Sequence, residues 1–129
     1  SGVQFLNLGH ISASLITSVK IWASPHLLHS AGQIADGVED TASNAVHSVH
    51  DLDRQIDACW KLIALEVVIA IWAIERRGLP QSGLGAVISS LHRECVDQLP
   101  IGREGEEVFS VSALVETVRR FVHALQKNG

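Results

Sequence analysis

The chain has 129 residues and a formal net charge of −4, with 47% hydrophobic and 19% charged residues. This balance is typical of one folded domain and argues against intrinsic disorder. Lysine and arginine form no basic stripe, which argues against a nucleic-acid groove. The two cysteines, Cys59 and Cys95, are too few for a secreted disulfide scaffold. Since the N-terminus also lacks a basic leader, we expect a cytoplasmic protein with reduced thiols.

The first predicted helix covers about residues 3–22 and ends before Pro25, because a residue that precedes proline is biased away from the helical conformation. Residues 24–38 contain scattered serine, glycine and aspartate and are interpreted as an ordered loop. The helix is predicted from apolar residues at helical spacing, namely Leu8, Ile11, Leu15, Ile16 and Val19.

A second, very long helix is predicted over about residues 41–77. Asp40 suits the positive end of its dipole, and Gly78 is a typical terminating residue. At 1.5 Å per residue this helix would be roughly 55 Å long. Its first half is amphipathic, whereas residues 62–74 are apolar on all sides apart from Glu66. Such a segment is typical of a helix surrounded by protein or by lipid.

A membrane span is the rival interpretation of residues 62–74, and it is disfavoured. The apolar run is shorter than the ~20 residues that a span needs, Glu66 interrupts it, and no aromatic belt flanks it. We therefore expect a helix at the centre of a bundle or an oligomer, with no membrane contact.

Two further helices are predicted, over residues 84–96 and 111–126, separated by a polar, glutamate-rich loop. No segment shows the alternation of a strand over a useful length. The predicted fold class is all-α: one helical domain over residues 1–129, with a very long central helix at about 41–77. We expect it to belong to a larger helical oligomer.

The adjacent carboxylates Glu39 and Asp40 are the first candidates for chemistry. Side by side at the start of a helix, they can bind a cation, hold a basic group or act as acid and base. Acidic residues also favour the first helical turn through the helix dipole alone, so a purely structural role stays open.

Histidines recur three apart, as His26 with His29 and as His47 with His50. Such a pair can ligate zinc, but a site needs further ligands, and the nearby acids follow no metal-motif spacing. We therefore predict no metal site and interpret these histidines as surface or interface residues.

Glu66 is the one carboxylate inside the apolar run. A buried carboxylate is costly unless it is paired, so we expect a salt bridge with a neighbouring helix or subunit, with a raised pKa and a catalytic role as the alternative. The Gly-Leu-Gly at residues 83–85 follows no strand and is interpreted as a turn rather than a phosphate loop.

Several short motifs occur in a recognisable order. Leu15, Lys20 and Pro25 are spaced by five residues, and Ser30 leads to Val-Glu-Asp-Thr-Ala-Ser at 38–43. Ala-Leu-Glu-Val-Val follows at 64–68 and Glu-Arg at 75–76. Over most of residues 3–78 this order resembles the C-terminal part of the histidine and aromatic amino-acid ammonia-lyases, which use the prosthetic group methylideneimidazolone (MIO).

The resemblance implies a function in several parts. Glu39 would contribute to the substrate pocket as the catalytic or binding residue. A glutamate at this position is nearer the histidine ammonia-lyase type than the aromatic type. The substrate would be an amino acid, histidine-like or aromatic, and the enzyme a lyase or an aminomutase. The assembly would be a homotetramer. MIO would lie in an upstream part that is absent here, and that N-terminal part would be the partner of this chain.

The chain departs from the family pattern at several positions. Val38 stands where the family has glutamine, and Thr41 where it has histidine. MIO forms from Ala-Ser-Gly, which the chain lacks, and it also lacks tyrosine and methionine. We therefore expect a C-terminal fragment or a subunit that is inactive alone and binds no cofactor itself. The alternative is a stand-alone helical interaction or oligomerisation module without catalysis.

Overall fold

The computed structural model describes residues 2–24, 45–99 and 110–128. These ranges contain four helices and no strand, which confirms the predicted all-α class. The residues at which the second helix was predicted to start lie outside them. The helices are α1 (Gly2–Trp22), α2 (Ala45–Arg77), α3 (Ala86–Val96) and α4 (Val111–Asn128), with a short 3-10 turn at Gln81–Gly83.

The chain divides into two compact units, Ser1–Cys59 and Trp60–Gly129. In the first unit, none of residues 7–22 of α1 is buried. Ser12 and Thr17 donate hydrogen bonds of 2.9 Å to carbonyl oxygens one turn earlier in the same helix, so their hydroxyl groups are satisfied locally. The exposed isoleucines of α1 are five residues apart and therefore point in different directions. They are Ile11, Ile16 and Ile21.

The second unit contains a hydrophobic core. In α4, Leu114, Val118 and Phe121 recur at intervals of four and three residues, which places them on one buried face. This face packs against α3, where Cys95 is fully enclosed. Complete burial of a leucine or valine side chain stabilises a fold by roughly 1.5–3 kcal/mol. From the part of α2 that belongs to this unit, the buried residues are Ala64, Leu65, Val68 and Ile71.

The helix α2 ends at Gly78, whose φ of 61° lies in the left-handed region that favours glycine. The amide of Gly78 donates to the carbonyl oxygen of Glu75 at 3.1 Å, and the amide of Leu79 to that of Ile74 at 3.2 Å. This pair of bonds is the Schellman motif, which satisfies the last carbonyl groups of a helix. Pro80 follows two residues later, so the chain turns here towards α3.

The segment 62–74 is enclosed on one side only. Ala64, Leu65 and Val68 are buried, but Ile63 and Ile69 on other faces are 41% and 44% exposed. Glu66 is exposed as well, so it is not the buried carboxylate that the apolar run suggested. None of the described helices combines the length and the apolar character needed to cross a membrane.

Candidate functional site

The carboxylates Glu39 and Asp40 lie in the segment 25–44, which is outside the described residues. The same holds for Ser30, His26 and His29. The role of Glu39 in a substrate pocket therefore stays a prediction.

The second pair of histidines, His47 and His50, lies on the exposed first two turns of α2. Within the described ranges, no group of three or more histidine, cysteine, aspartate or glutamate side chains is arranged to hold a metal ion.

A buried histidine that the sequence had not singled out lies at the centre of a polar network. His92 is 3% exposed, and its Nε2 lies 2.9 Å from Glu75 Oε1 at the end of α2. Its Nδ1 lies 3.0 Å from Gln81 Nε2 in the 3-10 turn. Ser89 Oγ donates to Gln81 Oε1 at 2.8 Å. The network therefore connects three consecutive elements of the second unit through side chains alone.

The hydrogen bonds of this network determine the tautomer of His92. The amide nitrogen of Gln81 can only donate, so Nδ1 of His92 accepts, and the ring proton is on Nε2, from where it donates to Glu75. Both ring nitrogens are thereby occupied, and the hydroxyl of Ser89 bonds to Gln81 rather than to the imidazole. This arrangement differs from a nucleophile–base pair, in which the hydroxyl bonds to the imidazole. The hydrogen bonds of His92 instead hold α3 against the end of α2.

The signal for this histidine was present in the sequence. His92 is three residues before Cys95 in α3, and both positions are buried. Helical spacing alone would have placed His92 on the inner face of α3.

A shallow, open groove along α4 is basic. It is lined by Arg119, Arg120, His123 and Lys127, with Glu116 at one side. The guanidinium carbon of Arg119 lies 5.4 Å from the centroid of the Trp60 ring, a cation–π geometry that fixes this side chain against α2. The groove comes from neighbouring turns of one helix and is open to water, so it offers little enclosure to a ligand.

Among the described residues, an apolar stripe on α2 faces solvent. We call it the outer stripe; it consists of Val49, Leu52, Ile56, Cys59 and Ile63, and every member is exposed. Its first three members expose 65%, 55% and 48% of their surface. The intervals of three and four residues keep these side chains on one face. At about 100° per residue, Ile63 at the end of the stripe lies roughly 140° round the helix from the buried Val68.

No protein-family model, no curated protein and no solved structure matches this chain. The outer stripe, the His92 network and the basic groove therefore have to be interpreted from their own chemistry.

Proposed function

We propose that this chain is a helical association module that assembles through the outer stripe of α2. The observation that carries the proposal is the exposure of five consecutive stripe positions, from Val49 to Ile63, on one side of one helix. Single exposed apolar residues are ordinary, but a contiguous apolar patch marks an interaction surface. Burial of that surface against another helix would release its hydration water and stabilise a complex.

The chemistry of the described residues supports a binding role better than a catalytic one. The buried histidine has both ring nitrogens bonded to structural partners, Glu75 and Gln81. The basic groove on α4 is open to water and offers little enclosure. The stripe, in contrast, is contiguous along one face of α2, and each of its members is exposed.

The ammonia-lyase hypothesis is the second candidate, and the same stripe favours it in one respect. If the chain were the C-terminal part of an MIO-type enzyme, a larger helical assembly, tetrameric by resemblance, would cover the outer stripe. Glu39 would then face an amino-acid substrate, and the upstream part would supply MIO. An Ala-Ser-Gly sequence upstream in the coding sequence would support this hypothesis, and its absence would remove the chemistry that it needs.

A matched pair of substitutions tests the association module. Ile63 belongs to the outer stripe, whereas Ile69 lies about 120° away round the same helix. Their exposures, 41% and 44%, are nearly equal. We expect Ile63→Glu to abolish the concentration-dependent rise in mass seen by sedimentation velocity, and Ile69→Glu to preserve it. Equal effects of the two substitutions, with unchanged helicity by circular dichroism, would contradict a role of the stripe.

A further inference from the structure

The outer stripe has the heptad pattern of a coiled-coil seam. Val49, Ile56 and Ile63 are seven residues apart, and Leu52 and Cys59 occupy the second set of positions, also seven apart. The first set, called a, is β-branched throughout, and the second set, called d, is leucine at residue 52 and cysteine at residue 59. β-Branched residues at a with leucine at d favour two parallel strands over trimers and tetramers, and the first heptad of the seam has this combination.

The positions that flank the seam are compatible with a second copy of the same surface. In a parallel pair, a flanking residue of one heptad faces the residue five positions later in the partner. Ser48 would then face Asp53, and Gln55 would face Trp60. Because Asp53 is the one charged residue among these four, no like charges oppose each other across the seam.

The described part of α1 leaves the outer stripe uncovered, since every member of the stripe is exposed. The apolar face of α1 itself, with Leu8, Leu15, Val19 and Trp22 at helical spacing, is half-buried. A helix with the same heptad stripe is complementary to α2, and a second copy of α2 is such a helix.

Glu66 marks the end of the seam. It occupies the next d position after Cys59, is exposed, and is followed by Ala70 at the next a position. In a parallel pair the two Glu66 carboxylates would approach each other, which limits the apolar contact to Val49–Ile63. This length is about two heptads, shorter than the three to four heptads of a typical coiled-coil assignment. The association should therefore be reversible.

From these observations we infer that the occupant of the outer stripe is a second copy of this chain, with the two α2 helices parallel and in register as a two-stranded coiled coil. The inference rests on the proposed function and adds the partner, its orientation and the number of strands.

Disulfide crosslinking at two levels of the seam tests the orientation. Parallel helices in register bring every a and d residue of the seam next to its own copy, whereas antiparallel helices do so at one level only. We would compare the wild-type chain, which carries Cys59, with the double variant Leu52→Cys/Cys59→Ser. Oxidised glutathione would accept the two electrons released when two thiols join. We expect covalent dimers at both positions, since both pairs would lie within the distance of about 7 Å between Cα atoms that a disulfide requires.

Two controls accompany this experiment. Cys59→Ser alone keeps only the fully buried Cys95 and should give no covalent dimer. Lys61→Cys/Cys59→Ser places an exposed thiol off the stripe, and crosslinking should be lost there. If Leu52→Cys disturbs folding, as judged by circular dichroism, Val49→Cys/Cys59→Ser replaces it.

The outcomes separate the inference from the proposed function. A non-covalent dimer that crosslinks at one level or at neither would overturn the parallel register and leave association intact. A trimer or tetramer by sedimentation would overturn the two-stranded assembly. Equal crosslinking at residue 61 would overturn the parallel register, because the crosslinks would not be confined to the seam. A chain that stays monomeric at every concentration would overturn both the inference and the proposed function.

Discussion

The imidazole Nε2 of His92 lies 2.9 Å from the carboxylate Oε1 of Glu75, and this contact ties α3 to the last turn of α2. The two partners differ in environment, since the side chain of His92 is 4% exposed and that of Glu75 is 41% exposed. The carboxylate can return to water if the bond is lost, but the histidine cannot. Removal of the Glu75 carboxylate is therefore more costly than the exposure of Glu75 suggests, because the buried N–H of His92 is left without an acceptor.

Replacement of Glu75 by alanine should destabilise the second unit. It leaves the buried N–H of His92 without its acceptor, which typically costs about 1–3 kcal/mol. Urea unfolding followed by circular dichroism measures the loss. Glu116→Ala, at an exposed glutamate of α4, is the control and should stay within about 0.5 kcal/mol of the wild type. Equal effects of the two substitutions would show that the network adds nothing to stability.

A second polar contact joins α4 to the residues after α3. Gln98 Nε2 donates to Thr117 Oγ1 at 2.9 Å, and Thr117 Oγ1 donates to the carbonyl oxygen of Ala113 at 3.1 Å. Thr117 is buried, so Thr117→Val should lower the free energy of unfolding by about 1 kcal/mol. Thr17 makes the same bond to its own helix on the exposed side of α1, and Thr17→Val should have little effect. A smaller loss at residue 117 than at residue 17 would contradict this account.

Two glycines should respond to alanine in opposite directions. Gly78 has a φ of 61°, and a Cβ there costs roughly 1–2 kcal/mol. Gly9 lies inside α1 with no atom within 4 Å of an added Cβ, so Gly9→Ala should stabilise the helix by about 1 kcal/mol. Thermal unfolding of both variants tests the signs. A stabilised Gly78→Ala variant would mean that the turn after α2 is not held in the left-handed conformation.

The two thiols should differ in reactivity. Cys59 is exposed, whereas burial, and then the neighbouring charge of Glu94, raises the pKa of the Cys95 thiol above its usual value of 9.0. Since the thiolate is the reactive form, Cys59 should react first with an alkylating reagent, and Cys95 only after unfolding. Mass spectrometry after limited alkylation identifies the modified residue. Equal rates in the folded protein would contradict the burial of Cys95.

The raised pKa of Cys95 also predicts a pH dependence of stability. Between the unfolded and the folded pKa, the unfolded chain has lost its thiol proton while the folded chain keeps it, so stability falls as pH rises. This contribution is fully present below a pH of about 9.0 and declines above it. A Cys95→Ser variant should show a weaker decline in urea unfolding over the same alkaline range. An unchanged decline would assign it to other groups.

The sequence predicted the helices well because their apolar residues recur at regular spacing. The buried face of Leu114, Val118 and Phe121 in α4 follows from their intervals of four and three residues alone. The partners of His92 were not predictable, because Glu75 and Gln81 are 17 and 11 residues away and meet it only through the turn at Gly78. The predicted burial of Glu66 was wrong, because the sequence of an apolar run does not show which face of the helix stays exposed to solvent.

The most direct test of the proposed association is the mass of the wild-type chain over a dilution series, measured by sedimentation velocity under reducing conditions. The outer stripe predicts a reversible change from monomer to dimer as concentration rises, because about two heptads of apolar contact give a modest affinity. A constant monomer mass across the whole series would contradict the account.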